Sequence, residues 1–122
     1  MSDEQELTMY IIVNNDLNMQ KGKLVSQACH VAGEITEILV RSGYESTKLP
    51  DSYQRYVVWK MTGCKKIVLK ATEQQILDLM QEGECVSIRD AGRTQVAPNS
   101  LTAIGFYPSA HMSDKVKHLK LL

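Results

Sequence analysis

The chain has no excess of either charge sign, no cysteine spacing that suggests a bridge or a metal, and no long apolar run. Each lack closes off a class of protein. Fourteen Lys and Arg side chains balance fourteen Asp and Glu over 122 residues, so the global positive field that advertises a nucleic-acid binder is missing. Cys29, Cys64 and Cys85 are an odd number without C-x-x-C spacing, which argues against a disulfide framework and for a reducing compartment. His30, His111 and His118 show no zinc-ligand spacing relative to those cysteines. Apolar runs are a few residues long, far short of a membrane span. The polar, acidic start from Met1 to Leu7 is unlike a secretory signal, and a cytoplasmic protein is expected. A hydrophobic share of 43% and a charged share of 23% are those of an ordinary globule. No repeat or linker divides the chain, so one domain at 9–122 follows a flexible acidic tail at 1–8.

The charge balance is uneven along the chain. Asp3, Glu4 and Glu6 sit in the tail, and Glu73, Asp78, Glu82 and Glu84 crowd one segment. Lys21, Lys23, Lys60, Lys65, Lys66, Arg89, Arg93, Lys115, Lys117 and Lys120 could then share a basic face, the alternative being dispersed solvated charge.

Periodicity orders the elements. Tyr10-Ile11-Ile12-Val13 reads as a buried strand ended by Asn14-Asn15-Asp16. From Lys23 to about Arg41 the period becomes helical, with Leu24, Ala28, Val31, Ile35, Ile38 and Leu39 on one face and Ser42-Gly43 as the stop. Pro50 opens a second helix with Tyr53, Val57 and Trp59 inward, ending at Gly63. Ile67-Val68-Leu69 is a second strand. Thr72 and Gln75 form a capping box before a helix that buries Ile76, Leu77 and Met80 and ends by Gly83. Val86 and Ile88 mark a third strand, and Thr102 to Phe106 a fourth. Two connections hold helices and suit parallel crossovers, whereas the stretch from Asp90 to Leu101 is too short for one. The third and fourth strands should therefore pair antiparallel in an otherwise mostly parallel sheet.

Two segments carry chemistry. At 3.6 residues per turn Lys23, Gln27, His30, Glu34, Glu37 and Arg41 form one polar stripe. Such a stripe is usually a solvated face, but its first turns present a cation, an amide and an imidazole. The helix start at Gly22-Lys23 offers free N–H groups to an anion, although it is no Walker motif. The other segment is Asp90-Ala91-Gly92-Arg93-Thr94-Gln95, which follows a β-branched run. Gly92 permits a turn that returns Thr94 toward Asp90, and the plainer alternative is an Asx-type turn capping loop N–H groups. Cys29 beside His30 is a poor nucleophile pair, because helix neighbours point about 100 degrees apart, and a buried cysteine is expected. Tyr53, Tyr56 and Trp59 suit either base stacking or core packing.

In this order, with Pro98, Ile104-Gly105 and the tail Asp114-Lys115-Val116-Lys117-His118-Leu119-Lys120-Leu121, these segments resemble the type-II peptidyl-tRNA hydrolases of archaea and eukaryotes. The likeness runs from about Tyr10 to the C-terminus. It implies a three-layer α/β/α fold with a mixed, mostly parallel four-stranded sheet. It also implies hydrolysis of the ester between a peptide and the 3′ ribose of tRNA, with no cofactor or metal, and a homodimer. The family's active-site Lys, Asp and Thr correspond to Lys23, Asp90 and Thr94. In that setting Lys23 would stabilise developing negative charge, Asp90 would orient or accept from water, and Thr94 would position water or ester.

His30 is a second candidate base, since an ion pair from Lys23 would weaken Asp90 in that role. Lys21, Gly22, Gln27, Gly92, Arg93 and Gln95 are candidate substrate contacts. Lys115, Lys117, His118 and Lys120 either touch phosphate or form a polar terminal surface. The family usually has Arg where this chain has Asn14, so that position is not carried over, and Leu122 replaces a common final tyrosine. Two rivals remain: a catalytically weak module of the same fold that binds tRNA ends or a protein, and an esterase for smaller acyl esters.

Overall fold

A computed structural model describes residues 6–92 and 96–122. Met9–Asn14 forms β1, every residue of it buried, because both faces of this apolar run are covered by helices. A 3-10 turn at Asn15–Leu17 leads into α1, Lys21–Glu45. It is followed by α2 at Asp51–Met61, β2 at Lys66–Ala71, α3 at Glu73–Leu79, β3 at Cys85–Arg89 and β4 at Leu101–Phe106. The chain closes with α4 at Met112–Val116 and a two-residue β5 at Lys120–Leu121.

The sheet order is β3-β4-β1-β2-β5. It is mixed, as expected, with two differences: it has five strands among the described residues rather than four, and only β1 and β2 are parallel neighbours. The crossover reasoning holds for direction, since β1, β2 and β3 all run the same way. However, β4 enters between β1 and β3 and pairs antiparallel with both. No local pattern marks that insertion. β5 adds antiparallel to β2; a pair so short, carrying Lys120 and Lys117-His118 before it, has no strand signature in sequence.

Two apolar cores flank the sheet. Val31, Ile35 and Leu39 of α1 and Tyr56 and Trp59 of α2 pack on Met9, Ile11 and Val13. On the other face Ile76 and Leu79 of α3 and Met112 and Val116 of α4 pack on Tyr10 and Ile12. This is the expected three-layer arrangement, set by the alternation of side chains along β1. Tyr56 and Trp59 are core residues, and Trp59 Nε1 donates to Lys65 O at 2.8 Å.

Helix α1 runs past the expected stop at Ser42-Gly43. A Cβ at Gly43 would lie 2.2 Å from the Tyr53 ring, so this glycine admits α2 against α1 instead of ending the helix. The capping box forms, with Thr72 Oγ1 accepting from Gln75 N–H and the Gln75 side chain accepting from Thr72 N–H. Helix α3 nevertheless ends at Leu79, a turn before Gly83. In the leading segment Thr8 is buried and bridges to Ser109.

Asn14, where the family usually has Arg, is fully buried at the end of β1. Its Nδ2 donates to Leu101 O at 2.9 Å and to Glu73 Oε1 at 3.0 Å, and its Oδ1 accepts from Asp16 N–H. It fastens β1, β4 and the start of α3 at one edge of the sheet.

Candidate active site

That edge is the one at which β1, β2 and β3 end. In open α/β sheets the crevice beyond the carboxyl ends of the strands is where ligands bind. Asp90 follows β3 directly. Its backbone N–H donates to Ser100 O at 2.9 Å and its C=O accepts from Asn99 N–H at 2.7 Å, so the ends of the loop are tied together as an extension of the β3–β4 hairpin. Asp90 Oδ2 accepts the Gly92 N–H at 2.6 Å, an Asx-type turn. Gly92 has a φ of +80, and a Cβ there would lie 2.5 Å from Pro98 Cγ, so both conformation and space require glycine.

Helix α1 begins at the same edge. Lys23 Nζ, in its first turn, bonds Asp90 Oδ1 across 67 positions of chain. The two side chains are 10% and 8% exposed, so the pair is largely withdrawn from water and weakly screened. The Asx turn and the ion pair use different carboxylate oxygens, so the turn leaves the second oxygen of Asp90 to Lys23.

One turn along the stripe, Gln27 is 3% exposed. Its Oε1 accepts from Thr102 Oγ1 at 2.6 Å, which orients the carboxamide. Its amide nitrogen has no hydrogen-bond partner among the described residues. Lys23, Ser26, Gln27, His30, Asp90 and Ala91 line a cleft of about 400 Å³, with Glu34, Ile88 and Arg89 completing it. His30 is exposed at its rim. The stripe therefore splits. Its first part faces a cleft, while Glu37 and Arg41 pair in solvent, about two-thirds exposed.

Two expected site residues among the described ones are not brought there. Lys21 and Gly22 are exposed and lie outside the cleft lining, because two residues of helix rotate Lys21 about 200 degrees from Lys23. Arg93, Thr94 and Gln95 lie outside the described residues. Cys29 is exposed rather than buried, since it lines an open groove beside β1 and β2 and lies outside the packed core. Thr102 was not anticipated. Its only signal in sequence is a hydroxyl opening an apolar strand, a position that sheet-forming threonines often take for packing alone.

A buried, oriented amide and an ion pair in a polar cleft at strand ends define an α/β protein with a candidate polar site. The family model described as Peptidyl-tRNA hydrolase PTH2 matches residues 7–122. A peptidyl-tRNA hydrolase of Methanococcus vannielii is 38% identical over 120 residues, covering 92% of this chain and 96% of its own. That of Methanocaldococcus jannaschii is 34% identical over 124, covering 95% and 100%. The human mitochondrial peptidyl-tRNA hydrolase 2 is 37% identical over 129 aligned positions, covering 99% of this chain and 67% of its own. The chain belongs to the peptidyl-tRNA hydrolase PTH2 family.

Proposed function

We propose that the cleft between α1 and the β3–β4 loop hydrolyses the ester joining a peptide's C-terminal carboxyl to the 3′-terminal ribose of tRNA. The observation that carries this is the withdrawn Lys23–Asp90 pair beside the oriented Gln27 amide. The chain is a carboxylic ester hydrolase acting in translation, releasing free tRNA and peptide. Lys23 and the Gln27 N–H₂ are the donors for the oxyanion, placed where charge develops on the carbonyl oxygen. Asp90, holding Lys23 on one oxygen and Gly92 on the other, orients Lys23 and the attacking water. His30 at the rim takes the water proton and returns it to the ribose oxygen as the carbon–oxygen bond breaks. Thr94 positions the water or the ester, and Gly92, Arg93 and Gln95 carry the substrate's end. Lys21 and Gly22 retain only a supporting part at the helix start.

A cytoplasmic location and a homodimer belong to the same proposal. The free cysteines support the former, together with the fact that no described helix is long and apolar enough to cross a membrane. Sedimentation of the purified chain tests the latter. The reaction is tested by release of labelled peptide from peptidyl-tRNA by wild type, Lys23→Ala and Asp90→Asn. Turnover by wild type that falls about 10²–10³-fold in Lys23→Ala is expected. Salt-sensitive tRNA binding without turnover would instead identify a binding module, and turnover of small esters alone an esterase.

A further inference from the structure

The C-terminal run has no part in that cleft, yet the fold spends it on adding β5 to the edge of the sheet. β5 is held in register by two pairs, Leu69 with Leu121 and Lys70 with Lys120. The second sets two lysines directly opposite on one face of an antiparallel pair, and like charges so paired destabilise strand pairing when nothing neutralises them. Neither lysine has an acidic partner among the described residues. The nearby acids are turned elsewhere: Asp16 Oδ2 accepts the Glu73 N–H, and Glu73 Oε1 accepts from Asn14. Asn15, Lys70, Thr72, Gln75, His118 and Lys120 border a cavity of about 220 Å³, all of them donor-bearing and none acidic. We propose that this corner is a phosphate site for the RNA strand of the substrate.

Its position suits that ligand. Lys70 lies at the carboxyl end of β2, on the same sheet edge as Asp90. With strands about 4.8 Å apart, three to four spacings separate β3 from β2 and β5, or roughly 14–19 Å. A stacked strand advances roughly 3.4 Å per nucleotide. The phosphate held here is therefore about four to six nucleotides back from the reacting ribose. Phosphate contacts fix register without reading sequence, which suits an enzyme that must accept many tRNAs. This site rests on the proposed reaction for its substrate but on Lys70 and Lys120 for its chemistry.

The test is the double variant Lys70→Gln/Lys120→Gln, with Lys70→Arg/Lys120→Arg as the charge-keeping control. For binding of deacylated tRNA, the slope of log affinity against log salt should fall by about 1.4–1.8, at 0.7–0.9 per lost contact. KM for peptidyl-tRNA should rise roughly 25- to 60-fold at about 0.1 M salt with kcat unchanged, as a slope change of that size implies. Turnover of a peptidyl ester of only the terminal two nucleotides should stay as in wild type. The Gln variant should melt no lower than wild type, because a like-charge repulsion is gone, and the Arg variant should bind as wild type does. A wild-type slope and KM in the Gln variant overturns the site, as does equal loss on the short ester or a lowered Tm. If wild type turns over no peptidyl-tRNA while the slope change persists, the reaction is wrong and the phosphate site stands.

Discussion

Helix α1 presents two flanks to the sheet, and they are opposite in character. Toward β3 and β4 it turns Lys23, Gln27 and His30 into a polar cleft. Toward β1 and β2 it turns Leu24, Val25, Ala28 and Cys29, which with Ile11, Val68 and Leu122 line an apolar groove of about 310 Å³. Backbone, length and distance from the sheet are shared, so the difference is one of side chains selected by angle around a single helix. Only the polar flank meets a loop that brings a carboxylate. What sets the candidate site apart from the groove is a second, distant segment that supplies the complementary charge, and depth alone does not provide it.

The comparison can be broken most directly by truncating one side chain on each flank. Lys23→Ala should lower kcat for peptidyl-tRNA by about 10²–10³-fold, equivalent to roughly 2.7–4 kcal/mol. Val25→Ala should change it less than about twofold, since Val25 is 56% exposed and surface truncations cost little. Equal losses would mean that both flanks serve the reaction.

Thr102→Val sharpens the polar flank by removing the hydroxyl that orients Gln27 while keeping volume. It leaves a buried acceptor unmatched, at about 1–3 kcal/mol, and kcat should fall with it. Unfolding midpoints together with single-turnover rates check both parts; loss of stability with an unaltered rate would remove Gln27 from the mechanism.

Gly105→Ala acts on both flanks together. The new methyl would meet Val31 Cγ1 at 2.0 Å, pushing α1 off β4 at about 1–3 kcal/mol of overpacking. Denaturant titration should show that loss, and cleft and groove should suffer alike.

The smallest effect is expected from alkylation of the native protein. Cys29 is exposed, whereas burial pushes the Cys85 thiol above its ordinary value and so keeps less of it as thiolate at any given pH. Mass mapping should find Cys29 modified first, with activity retained. Inactivation at the rate of Cys29 labelling would show that the flanks are coupled.

Much of the fold could be read from residue order. The alternation at Tyr10–Val13, the 3.6-residue period of α1 and the Thr72–Gln75 box are local signals, and each produced its element. The ends were less legible. Gly43 looks like a stop and is a contact with Tyr53, because whether a glycine ends a helix or admits a neighbour depends on what lies beside it. β5 was invisible, since two residues carry no period. In the site, the hexapeptide and the stripe announced Lys23, Asp90 and Gln27, with the family resemblance assigning the first two. Thr102 could not be found the same way, since its meaning lies in a hydrogen bond to a residue 75 positions away.

By itself the sequence determined the longer helices and the first four strands, the apolar stripe of α1 and the family the chain resembles, because those properties repeat within a few residues; on α3 it is Leu79 rather than Leu77 that is buried. Tertiary structure alone decided that β4 enters between β1 and β3 and that Asn14 ties strand ends together. It also decided that the polar stripe divides into a cleft and a solvated end. The physical reason is that strand neighbours and buried polar pairs are chosen by simultaneous burial and hydrogen bonding of segments far apart in the chain, a choice that no single segment encodes.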